Sequence, residues 1–112
     1  MKKTLLIVTT FLGFATMASA SSVYSPDKGI ICDKKAHFCV DSYGISLAYT
    51  KEYLGQKALD RFNKVTDNQK DMDLTSFTFS NGLDCDTKKK ICKKSKWDDN
   101  ADKHWTNILF AK

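Results

Sequence analysis

Four cysteines constrain this chain more than any other feature, because they come in two copies of one eleven-residue unit. GIICDKKAHFC (Gly29 to Cys39) returns 53 residues later as GLDCDTKKKIC (Gly82 to Cys92). Both units read Gly, two residues, Cys, Asp, one residue, Lys, three residues, Cys. A hairpin with a two- or four-residue loop puts the two Cys of a unit directly opposite each other. Opposed positions without a ladder hydrogen bond have Cα atoms about 4.5 Å apart, within disulfide reach. Polar residues fill the expected loops, Asp33 to Ala36 and Asp86 to Lys89. Ile30, Ile31 and Phe38 flank the first loop, Leu83 and Ile91 the second. The spacing therefore favours Cys32–Cys39 and Cys85–Cys92, each contributing about 2.5 kcal/mol by loop entropy. Pairings that join the two units stay open at this level. The spacing is too long for the close pairs of a zinc site, and no C-x-x-C redox motif is present.

The first twenty residues, MKKTLLIVTTFLGFATMASA, read as a secretory signal peptide. Lys2 and Lys3 precede a short apolar run, and Ala18-Ser19-Ala20 supplies the small residues of a cleavage site. Cleavage after Ala20 leaves residues 21–112 as one small domain, periplasmic or secreted, where disulfides persist. No second long apolar run follows, so no transmembrane segment is expected in the mature chain. A chain this short buries only roughly 60% of its unfolded surface, so cross-links matter to its stability.

The repeat continues beyond the cysteines. Ser46 to Gly55 (SLAYTKEYLG) lines up with Asp102 to Ala111 (DKHWTNILFA), with Thr50 and Thr106 in register. Ser46 and Asp102 are helix N-cap residues, and Gly55 suits a C-terminal cap. Val23-Tyr24 reads as a leading strand, and Pro26-Asp27-Lys28-Gly29 as a type I turn. Thr75 to Phe79 alternates like a half-buried strand, and Asn81-Gly82 turns the chain. Ala58, Leu59, Phe62 and Val65 follow helical spacing over Gln56 to Val65. Thr66 to Asp73 is a polar linker. The expected fold is a small α+β domain of two similar halves, about 23–65 and 74–112, each a three-stranded meander plus a helix.

SPDKGIICD, the FCVDSYGIS…T…YLG run, SFTFSNGLDCD…K…C and the closing T…LF segment together resemble the YcgJ-like family, also described as Fels prophage protein-like. The resemblance spans nearly all of residues 21–112. It implies a small exported protein of Gram-negative bacteria and transfers no catalytic residue.

Function is less legible. Removing the two leader lysines lowers the formal net charge from +5 to +3. That is not the charge of a nucleic-acid binder, and no nucleic acid is expected as partner. Lys88, Lys89, Lys90, Lys93, Lys94 and Lys96 nevertheless fall within nine positions. They are either a solvated edge that resists aggregation or an anion-binding face for an envelope component or an acidic protein. Trp97 and Trp105 are read as packing residues, with an apolar anchor as the alternative. His37 and His104 are the only histidines and weak metal candidates; no cofactor is expected. Asp98 to Asp102 echoes a calcium loop, but Lys103 and Leu109 occupy its Gly and Glu positions, so it reads as a capped loop. Glu52 is the only Glu, the cysteines are committed to bridges, and no G-x-S-x-G is present, so the chain is expected to be non-catalytic. The leading expectation is an envelope-associated binding module. The alternatives are an inhibitor of a lysozyme-like or other acidic enzyme, and a periplasmic metal-binding protein.

Overall fold

Both cysteine units fold as antiparallel hairpins in the computed structural model, which describes residues 21–111. The expected signal peptide lies outside the described residues. Sheet one has strand order β1 (Val23–Asp27), β2 (Ile30–Asp33), β3 (Phe38–Asp41), β4 (Gly44–Ser46). Sheet two runs β5 (Ser76–Thr78), β6 (Asp84–Asp86), β7 (Ile91–Lys93). Helices α1 (Leu47–Leu54) and α2 (Gln56–Val65) follow sheet one, and α3 (Lys103–Phe110) follows sheet two. The fold is α+β.

Cys32 stands opposite Cys39, and Cys85 opposite Cys92, in the strand registers. They are bonded in those pairs, with Cα separations of 4.0 and 4.1 Å. The loops are the four residues Lys34–His37 and Thr87–Lys90, one residue later than the polar stretches suggested. The repeated Asp explains the shift. Asp33 Oδ1 accepts the N–H groups of Lys35 and Ala36 at 3.0 and 3.1 Å. Asp86 Oδ1 does the same for Lys88 and Lys89 at 2.9 and 3.2 Å. Each Asp thus ends a strand and folds the loop over its own carboxylate. Each loop closes on a left-handed residue, His37 (φ 66°) or Lys90 (φ 57°).

Helices attach to hairpins through a second repeated device. Ser46 Oγ accepts the Tyr49 N–H at 3.1 Å, and Asp102 Oδ1 accepts the Trp105 N–H at 3.0 Å. One turn on, the Thr50 hydroxyl accepts the Cys39 N–H at 2.9 Å and donates to the Ser46 carbonyl at 2.7 Å. Thr106 likewise accepts the Cys92 N–H at 2.9 Å. The second cysteine of each bridge is therefore tied to its helix as well as to its partner strand.

Two expectations need correction. The first half has four strands, because Gly44–Ser46 pairs with β3. The first turn is Lys28-Gly29, not Pro26 to Gly29: Asp27 pairs with Ile30, and Gly29 takes φ 82°. Pro26 instead sits in an edge strand, where its missing N–H costs no ladder bond.

The halves share one core centred on Phe38. Its ring stacks on Phe79 (5.3 Å, 3°) and also meets Phe62 of α2 (5.5 Å) and Phe77 (6.4 Å). Val23, Ile31, Val40, Ile45, Leu83 and Leu109 complete it, together with Cys85 and Cys92. The first disulfide lies on the other face of sheet one, covered by Tyr24, Tyr49, Tyr53 and Leu54. Polar contacts join the halves at the rim. Asp33, fully buried, accepts the Ser80 N–H at 2.6 Å and the Ser80 hydroxyl at 2.9 Å. The Ile45 N–H reaches the Leu74 carbonyl at 2.8 Å. Gly44 (φ 136°) allows this approach, since a Cβ there would fall on the Leu74 carbonyl.

Three substitutions test these joints by denaturant unfolding of the oxidised protein. Thr50→Val keeps the shape but orphans the Cys39 N–H, and should lower stability by about 2 kcal/mol. Asp33→Ala should cost about 3 kcal/mol, because it strands Ser80 as well as its own loop. Asp86→Ala, which loses only loop contacts, should cost about 1 kcal/mol.

Candidate functional site

The clustered lysines do not share one face. In β7, Cys92 points to the core, so Ile91 and Lys93 point to the opposite, outer face. There Lys89 and Lys93 line a shallow recess of about 240 Å³ with Ser76, Asp84, Asp86 and Asp99. Three carboxylates face two lysines in it. Lys96 stands over the Trp97 ring at 5.7 Å, and Lys94 is exposed just past the strand.

Lys88 and Lys90 go elsewhere. They line a recess of about 460 Å³ where three elements converge: the β3–β4 turn, the β6–β7 loop and the end of α3. Ser42 and Tyr43 come from the turn, Thr87 from the loop, and Leu109 and Phe110 from the helix. Thr87 is buried, and its hydroxyl donates to the Thr75 carbonyl at 3.0 Å and approaches the Tyr43 carbonyl at 3.4 Å. The Tyr43 N–H is held by Asp41 Oδ1 at 2.8 Å. The Tyr43 backbone is thus fixed while the residue remains 86% exposed. Asp73 lies near Lys88. Its carboxyl is held below the ordinary range, first by hydrogen bonds from the Thr75 hydroxyl and N–H and then by the Lys88 charge.

A third hollow, about 530 Å³, lies on the other side of Tyr43 and was not anticipated from the sequence. Tyr49 and Tyr53 of α1 meet Asp27, Asp41 and Glu52 there. The Tyr53 phenol is pushed up by desolvation, then by the Glu52 and Asp27 charges. The available signal was the i, i+4 spacing of Tyr49 and Tyr53, whose rings lie 5.9 Å apart.

The remaining candidates separate. His37 sits in the first hairpin loop, and exposed His104 packs its ring edgewise on Trp105 at 5.1 Å. Among the described residues, no group of three His, Cys, Asp or Glu is placed to hold a metal. Trp105 packs against the core as expected, whereas Trp97 is 85% exposed. Asp98 caps its own loop through the Asn100 N–H, and Asp102 caps α3. No described helix is long and apolar enough to cross a membrane.

These features define a small α+β protein of two disulfide-closed halves, with surface recesses at and beside their junction. The chain belongs to the YcgJ family, whose description, YcgJ protein, matches residues 23–110. It is 38% identical over 87 residues to the "Uncharacterized protein YcgJ" of Escherichia coli (strain K12). That match covers 75% of this chain and 66% of the relative. No solved structure matches.

The Asp73 arrangement carries a titration prediction. Its folded pKa is depressed, so its contribution to stability is present above the unfolded carboxyl pKa. That contribution is lost as pH falls through the folded value. Thr75→Val should raise the Asp73 pKa toward the ordinary range in a carboxyl ¹³C titration, and Lys88→Gln should raise it less.

Proposed function

We propose that this protein is an exported, non-catalytic binding module of the bacterial envelope, which engages anionic partners through its second hairpin. The leader-like start and the two disulfides support export to an oxidising compartment. The observation that carries the binding reading is the placement of Lys88 and Lys90 beside exposed Tyr43. The part-buried contacts of the Thr87 hydroxyl with the Thr75 and Tyr43 carbonyls beneath them prepare that surface before any ligand arrives. Lys89 and Lys93, facing Asp84, Asp86 and Asp99, contribute far less to an anion field.

The inhibitor reading uses the same stapled, lysine-bearing loop, directed at an acidic enzyme cleft. Stoichiometric loss of lysozyme turnover is the outcome that would replace envelope binding with inhibition.

Retention of the mature, oxidised protein on envelope fractions tests the proposal. Binding should fall steeply between low and high salt, since exposed charge attraction is screened over about 10 Å at 0.1 M. Changing all six clustered lysines to Gln should abolish retention. Binding that ignores both salt and the six substitutions would overturn the reading.

A further inference from the structure

We propose that the recess bounded by Tyr43, the β6–β7 loop and the end of α3 is a subsite for an acidic saccharide, a sugar ring carrying a carboxylate or phosphate. This rests on the envelope-binding reading and names its ligand class.

The chemistry of the lining selects the ligand. Lys88, which also meets the Asp73 charge, and Lys90 bring two cations to one recess, suited to a single anionic group. Ser42 adds an exposed hydroxyl-bearing side chain, and Thr75 a half-buried one. Of the last four α3 carbonyls, that of Asn107 accepts the Ala111 N–H and that of Ile108 the Gly29 N–H, which leaves those of Leu109 and Phe110 to accept from ligand hydroxyls. Tyr43 offers an open aromatic face, and half-buried Phe110 adds a small apolar surface over the core residue Leu109. Donors, acceptors and an aromatic face around about 460 Å³ match a polyhydroxylated ring or two, within the usual range of ligand pockets. A lipid chain would need a longer apolar trough than Leu109 and Phe110 supply.

The site is also preorganised. Thr87 and Asp41 fix the Tyr43 turn from both sides. Lys90 is held left-handed at the loop end, the position His37 takes in the first half. Where the second hairpin has Thr87, the first has Lys34, which is exposed and lies over Tyr24 at 5.1 Å. The junction pin therefore belongs to the second half alone.

The test is an amide NMR titration of the mature, oxidised protein with three probes: trigalacturonate, neutral galactotriose and phosphatidylglycerol vesicles. Trigalacturonate should shift Tyr43, Lys88, Lys90 and Phe110, and galactotriose should bind at least about tenfold more weakly. Tyr43→Ala and the pair Lys88→Gln with Lys90→Gln should each weaken trigalacturonate binding about tenfold. Lys89→Gln with Lys93→Gln should leave it unchanged. Shifts centred on Lys89 and Lys93, lost with that second pair, would overturn this subsite while leaving envelope binding intact. A response to vesicles alone would replace the saccharide by a lipid surface. No response to any probe, with salt-sensitive envelope retention preserved, refutes the saccharide subsite only. Loss of retention as well removes the reading beneath it.

Discussion

Everything in this fold leans on a cross-strand cysteine pair whose second member also donates its N–H to a helix threonine. Strands of three or four residues are marginal on their own, and a lone two-stranded hairpin is barely stable in water. Here the bridge fixes the register at the middle of each hairpin. The threonine then sets where the helix lies relative to that bridge. Strand, loop and helix in each half are located by a few atoms around one sulfur pair. The Asp that follows the first cysteine closes the loop, which leaves little local freedom between Gly29 and Cys39 or between Gly82 and Cys92.

The two copies diverge on the sheet face away from the bridge. Sheet one places Ile31 opposite Val40, both fully buried, with Asp33 opposite Phe38. Sheet two places Asp84 opposite Lys93 and Asp86 opposite Ile91, all only partly buried. The first face therefore receives the second half, and the second face meets water. A polar outer face is how stacked repeats are terminated. Asp33 shows the consequence at one residue. It caps its own loop as Asp86 does, and its remaining capacity grips Ser80 across the junction. That junction brings the β3–β4 turn beside the second hairpin and creates the Tyr43 recess.

Local features were legible in the sequence, and features decided by the packing of the halves were not. The disulfide pairs, the Ser46 and Asp102 caps, the in-register threonines and the α2 helix all follow from short-range spacing. β4 was missed because Gly44-Ile45-Ser46 is three residues long, and its pairing depends on β3 and on the Leu74 carbonyl. Pro26 reads locally as a turn residue, yet the turn falls at Lys28-Gly29 because an edge strand tolerates proline. The six lysines looked like one patch because their neighbourhood in sequence is tight. Strand alternation sends Lys93 outward, and the loop sends Lys88 and Lys90 toward Tyr43. Tyr43 drew no notice, since nothing near it in sequence marks the hairpin it touches 44 residues away.

The pairing of the sulfurs can be checked by proteolysis and mass spectrometry of the native protein with thiols blocked and no reductant. Two cross-linked species are expected, one joining the peptides of Cys32 and Cys39 and one joining those of Cys85 and Cys92. A linkage between Cys32 or Cys39 and Cys85 or Cys92, or alkylated free thiols, would contradict it.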